Sequence, residues 1–212
     1  MLVRGGFFAE LWAVWSREWS HPGRAVLLES PGTTYRFPAA GGKVSRVPTN
    51  FERAFEARPE VYKAWQGLNG AIKAGMDLRR YELATLAAAL RLRSSYCCLA
   101  HGSVLVEQFG EPVERIVTDR SNSGLDETDL AVMVLAERVV DDASSISGAD
   151  LQPLRDLGLS EADIMDVVLA AAARCFFSKT LDAMGVLPDA KYAALERELR
   201  DALVVGRPIA TS

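Results

Sequence analysis

The sequence predicts an all-α fold, a helical bundle, and three observations carry that expectation. From Thr49-Asn50 onward, apolar residues recur at three- and four-residue intervals, the helical period. Capping residues punctuate these runs: Asn50, Asp77, Ser94-Ser95, Asp126 and Ser160 stand before them, Gly110 and Gly185 after them. No stretch beyond residue 50 alternates apolar and polar residues long enough to compete as a strand.

The elements follow in order. Residues 1–48 have no steady period. Trp12, Trp15 and Trp19 recur at helical spacing, so 7–19 is expected to form a short amphipathic helix. Pro22-Gly23, Pro31-Gly32 and Gly41-Gly42 then break a loop-like segment, with short extended pieces at 25–29 and 33–37. This region is expected to be an N-terminal arm or extension that docks on a neighbour, and residues 49–212 the helical domain. Within that domain, Asn50 is expected to cap a helix at 51–56, and Pro59 to start one running to 68. Asp77 caps 78–92. Ser94 or Ser95 opens a helix to 109 that Gly110 ends. Pro112 starts a short helix to 118, residues 121–124 turn, and Asp126 caps 127–140. Ser160-Glu161-Ala162-Asp163 has the form of a capping box for a long helix ending near Gly185. After Pro188 a last helix is expected at 191–203, charged on one face.

Composition excludes several classes of function. At 212 residues, 49% apolar and 25% charged, the chain can bury a full core. A net charge of −4, with no cluster of basic and aromatic residues, excludes a nucleic-acid partner. The apolar run 7–15 is broken by Glu10 and is too short to span a bilayer. Residues 83–90 and 167–173 are apolar but bounded by charges. They predict buried helices, so no membrane partner is expected. Three cysteines, two of them adjacent, do not make a disulfide framework, and the expected setting is the reducing cytoplasm.

The chemistry concentrates in the hairpin of residues 82–101. Cys97 and His101 are four residues apart, so their side chains lie on nearly one helical face. A helix opening at Ser94-Ser95 puts Cys97 in its first turn, where the partial positive charge favours thiolate. Glu82 lies on the preceding helix and can face back across the hairpin. Its apolar followers Leu83, Ala84, Leu86 and Ala87 predict a helix buried on several sides. A carboxylate, an imidazole and a thiol in contact form a proton relay that activates sulfur. The second histidine, His21, lies in the irregular N-terminal region, and no fourth ligand accompanies Cys97, His101 and Glu82. No metal and no cofactor are therefore expected. Cys98 and Cys175 are read first as small buried apolar residues.

This hairpin resembles the active-site motif of the alkylhydroperoxidase AhpD / carboxymuconolactone decarboxylase family. There a glutamate is followed by eleven residues, then Cys-x-x-Cys, then three residues and a histidine. Glu82, Ser94, Cys97 and His101 match that spacing, and Tyr96-Cys97-Cys98-Leu99-Ala100-His101 is similar to the family's Tyr-Cys-x-x-Ala-His. The match covers about twenty residues, with fixed offsets between three functional residue types. The resemblance implies an all-α bundle over residues 50–205, a homo-oligomer, and Cys97 as the thiol that attacks peroxide.

One position departs from the pattern. Ser94 stands where the family has its first cysteine, so the nucleophile keeps its place without its usual resolving partner. Cys98 is a poor substitute, because adjacent cysteines bridge only through a strained eight-membered ring and diverge by about 100° in a helix. Cys175, on the long C-terminal helix beside Arg174, resolves Cys97 only if the fold joins the two helices. The auxiliary candidates are thus Ser94, Tyr96, Cys98 and Cys175. The function expected is a thiol-dependent hydroperoxide reductase-like oxidoreductase. Cys97 would be its peroxidatic thiol, activated by His101 and Glu82. Its partners would be a hydroperoxide substrate, an external thiol reductant and further copies of the chain. Two alternatives stand beside it: a lactone decarboxylase or isomerase with His101 and Glu82 as proton shuttles, and a non-catalytic redox-sensing oligomer.

Overall fold

The computed structural model describes residues 47–211, all but the first of them within the compact unit Pro48–Ser212. The expected arm, with its helix around Trp12, Trp15 and Trp19 and its two extended pieces, lies outside the described residues except for residues 47 and 48. Among the described residues the α-helices are α1 Asn50–Ala54, α2 Pro59–Gly75, α3 Leu78–Arg91, α4 Ser95–Phe109, α5 Val113–Thr118, α6 Glu127–Asp142, α7 Gly148–Asp156, α8 Glu161–Ala183 and α9 Arg197–Leu203. Three short 3-10 turns join them, at Arg120–Asn122, Ala143–Ser145 and Ala190–Ala194. No strand occurs among the described residues, as the periodicity predicts.

Most helix ends are where local chemistry puts them. Asp77 accepts from the Arg80 amide at 3.0 Å, and Asp126 from the Asp129 amide at 2.7 Å. Ser160 and Asp163 form the expected capping box on α8. Gly110 ends α4 with φ 67°, a left-handed turn that glycine adopts without strain.

Four expectations need correction. Thr49, not Asn50, caps α1, because Thr49 and Glu52 form a capping box, whereas the residue three after Asn50 is Arg53; the Thr49 amide reaches Glu52 Oε2 at 2.7 Å. α2 runs on to Gly75 through Asn69-Gly70, past the expected end at 68. Both of those residues are buried, and Asn69 Oδ1 accepts from the Tyr81 hydroxyl at 2.8 Å, so tertiary contact overrides weak helix propensity. α7 has no counterpart among the expected elements. Pro153 sits inside it and masks its pattern, while Ser147 and Asp150 cap it. The expected helix 191–203 is two pieces, since Leu195 is extended; one buries Tyr192 and the other Leu199 and Leu203.

α3 is the central element. It packs on α4, α6 and α8; α2 lies on α8, and α9 on α4 and α5. Residues Tyr81 through Ala89 are buried without interruption. A helix buried all round needs small residues to admit its neighbours, and Ala84, Ala87, Ala88 and Ala89 supply them. Leu83 and Leu86 are fully buried, each stabilising the fold by roughly 1.5–3 kcal/mol. Arg79 ties the start of α3 to Glu111 and to buried Asp129, both at 2.5 Å. The turn into α4 is held from outside. The Gly206 amide donates to Ser95 Oγ at 2.8 Å, and a Cβ at Gly206 would stand 2.0 Å from the Arg93 carbonyl oxygen, so only glycine lets the C-terminal tail cross here. These packings fix where the hairpin's side chains meet.

Candidate active site

The α3–α4 hairpin brings Glu82 and His101 into direct contact. His101 Nδ1 lies 2.5 Å from Glu82 Oε2, and both side chains are buried. The other carboxylate oxygen, Oε1, accepts from Lys73 Nζ on α2 at 3.2 Å; Lys73 is 21% exposed and so connects the pair to water. Tyr81 places its ring edge-on to His101 and donates its hydroxyl to Asn69. Glu82 is thus held from two sides, and His101 is oriented by a carboxylate that sees no solvent.

The electrostatics assign the protons. Burial alone would push the Glu82 carboxyl up, but the charges and hydrogen bonds of His101 and Lys73 outweigh it and the net shift is downward. His101 is pushed down to about 4, first by burial and then by the Arg174 charge, against the upward pull of Glu82. At neutral pH the imidazole is therefore neutral beside an ionised carboxylate. That arrangement requires Nδ1–H to donate to Glu82 and leaves the Nε2 lone pair as the basic one.

Cys97 lies in the first turn of α4 and is 1% exposed. Its Sγ receives Ser178 Oγ–H at 3.1 Å and Arg174 Nη1–H at 3.4 Å, both from α8. Arg174 and Ser178 are four residues apart and share one helical face. Arg174 is itself 1% exposed, and its charge acts on Cys97, Tyr81 and Glu82 together. It joins the two halves of the site. Sequence reasoning missed both residues as site residues. A signal was present: Arg174 is the one charge inside the apolar stretch 167–177 of a helix that packs on α3.

The auxiliary candidates fall elsewhere. Ser94 is the N-terminal cap residue of α4, fully buried, but its hydroxyl makes no capping bond and lies beside Asp182. The hydroxyl of Tyr96 donates to Asp189 on the far side of the helix start, where Asp189 also accepts from the Asn50 amide at 2.8 Å. All three cysteines are free thiols. Cys98 is fully buried, and burial, followed by the neighbouring Cys97, pushes its thiol well up. Cys175 follows Arg174 and therefore leaves α8 about 100° away from the face that meets Cys97. It is half-buried, and burial raises its thiol too. Of the predicted set, the fold puts His101 against Glu82 and Cys97 against Arg174 and Ser178, with the Arg174 charge acting on all three predicted residues.

No family model and no curated protein matches the chain. Solved structures do. A structure described as alkylhydroperoxidase AhpD core, an uncharacterized peroxidase-related protein from Ralstonia eutropha JMP134, superimposes with a TM-score of 0.63 at 19% identity, covering 68% of this chain and 78% of that one. An uncharacterized peroxidase-related protein from Silicibacter sp. TM1040 gives 0.55 at 21% identity, covering 68% and 85%. A cysteine-to-alanine variant of the debrominase Bmp8, in complex with 2,3,4-tribromopyrrole, gives 0.59 at 14% identity, covering 73% and 81%. The arrangement of helices that carries Glu82, Cys97 and His101 is therefore the AhpD-like all-α fold, the fold that the hairpin's resemblance implies.

Proposed function

We propose that this protein is a cofactor-independent thiol oxidoreductase that reduces hydroperoxides through Cys97. The observation that carries this reading is the buried Glu82–His101 contact at 2.5 Å, one helical turn from a thiol that accepts two hydrogen bonds. In this reading Glu82 holds Nδ1–H and the neutral imidazole of His101 takes the thiol proton. The sulfur attacks one oxygen of the hydroperoxide. The O–O bond breaks, sulfur is oxidised to the sulfenic acid, and the other oxygen leaves as an alkoxide that takes up the proton, giving the alcohol. An external thiol then reduces the sulfenic acid, because Ser94 occupies the position of a resolving cysteine.

The debrominase likeness supports a second reading, in which the same thiol acts on a halogenated aromatic substrate. Trp65 stacks on Phe177 with ring centroids 4.1 Å apart, and Arg174 lies over Phe177, so aromatic rings stand next to the group that contacts the thiol. Trapping of sulfenic acid after one equivalent of peroxide, read by peptide mass spectrometry, tests the first reading. Oxidation is expected at Cys97, and Cys97→Ser is expected to consume no peroxide. Peroxide consumption by Cys97→Ser at the wild-type rate overturns it. Bromide release from a bromopyrrole without sulfenic acid formation favours the second.

A further inference from the structure

Arg174 is a guanidinium at 1% exposure with no carboxylate ion pair among the described residues. A buried charge without a counter-charge is costly, and one left by a neutral partner keeps most of that cost. Its Nη1–H donates to Cys97 Sγ at 3.4 Å, Ser178 Oγ–H reaches the same sulfur, and the guanidinium also lies over the Phe177 ring. Two donors converging on one sulfur stabilise a thiolate far more than a thiol, which accepts weakly. The remaining Nε–H and Nη2–H of Arg174 are also buried and make no hydrogen bond of normal geometry, though the Tyr81 hydroxyl, which donates to Asn69, keeps its oxygen beside the guanidinium as a weak acceptor.

We propose that Arg174 holds Cys97 as a resting thiolate, and that its Nε–H and Nη2–H receive the oxygen that leaves when the thiolate attacks. The second half rests on the peroxidase reading; the first does not. It also orders the steps. The thiol proton departs before peroxide arrives, through His101, Glu82 and the partly exposed Lys73, which connect the site to water. The thiolate then attacks the terminal oxygen, the O–O bond breaks, and sulfenic acid forms. The departing alkoxide rests on the Arg174 fork until a proton returns by the same route. Sulfur loses two electrons and the peroxide gains them. The other groups acting on the sulfur and guanidinium are Glu82, His101, Tyr81 and Cys98 from the hairpin, Cys175 from α8, and Tyr192 from the 3-10 turn near the C-terminus.

The test reads the thiolate ultraviolet band as the difference between each protein and its own Cys97→Ser counterpart, across pH. The wild type is expected to keep the band through neutral pH. Arg174→Gln is expected to lose it there and regain it at least one pH unit higher, which is about tenfold less thiolate at the same pH. Ser178→Ala is expected to shift in the same direction by less. His101→Gln is expected to leave the equilibrium band in place, because that residue passes the proton without holding the charge. An ordinary thiol titration in the wild type overturns the proposal, as does an Arg174→Gln curve that superimposes on the wild type. Loss of the band in His101→Gln also overturns it. If Arg174→Gln does not fold by circular dichroism, the wild-type and His101→Gln curves still decide. Single-turnover sulfenic acid formation is then compared at alkaline pH, where both proteins carry the thiolate. A remaining deficit of roughly tenfold in Arg174→Gln supports the oxygen-holding role, and equal rates remove it. If neither protein forms sulfenic acid, the peroxidase reading fails while the band still decides the thiolate.

Discussion

At the residue scale, the site holds two buried contacts, Glu82 with His101 and Cys97 with Arg174. Glu82 is ionised because Lys73 and His101 offset its burial, and that ionised carboxylate fixes the tautomer of His101. Glu82→Gln keeps the shape and an acceptor for Nδ1–H but removes the charge that makes a protonated His101 affordable in a buried site. The rate of Cys97 oxidation, followed by stopped-flow with stoichiometric peroxide, is expected to fall about tenfold or more, within the range of general acid–base effects. A variant that reacts at the wild-type rate would assign Glu82 to packing alone. Lys73 is partly exposed and can turn to water, so this substitution does not strand the Lys73 charge.

At the element scale, α3 decides the site's precision. Its alanines let α4, α6 and α8 approach closely, and that approach brings Arg174 and Ser178 to a thiol on another helix. Ala87 is fully buried in this helix. Ala87→Leu adds three carbons where no space is left and is expected to destabilise the fold by about 1–3 kcal/mol. A urea unfolding midpoint equal to that of the wild type would show that the neighbours yield easily. The helix boundaries make the same point in reverse. Asp77, Asp126, Ser160 and Gly110 mark their ends through local bonds that a sequence displays. The extension of α2 through Asn69-Gly70 depends on a hydrogen bond from Tyr81 and on packing against α8, and neither has a local sign.

At the scale of the whole molecule, the buried site makes stability depend on pH. His101 is pushed down to about 4 by burial and by Arg174, whereas an unfolded chain leaves histidine near 6.5. Between those values the unfolded chain binds the extra proton, so stability rises with pH in that window. It is complete above about pH 6.5 and is lost as pH falls toward 4. Glu82, also held low, adds a loss in the same direction below its ordinary range. The urea midpoint is expected to drop between about pH 7 and pH 5, with His101 contributing about 2 kcal/mol. His101→Gln is expected to flatten that part of the dependence, and an unchanged slope in the variant would assign the loss to other groups. No helix among the described residues is long and apolar enough to cross a membrane.

Much of this protein is legible in its sequence, for a physical reason. Helical periodicity, caps and the offsets among Glu82, Cys97 and His101 are short-range properties, set by 3.6 residues per turn and by bonds within a few residues. They predict the all-α class and the hairpin that joins carboxylate to imidazole. The tertiary structure alone decides what surrounds the sulfur. Cys175 and Arg174 are neighbours in the chain, and only the rotation of α8 against α4 determines that Arg174 and Ser178, seventy-seven and eighty-one residues from Cys97, face it while Cys175 turns away. It likewise decides that a guanidinium is buried with no carboxylate in ion-pair contact among the described residues, because desolvation belongs to the packed interior and to no stretch of sequence.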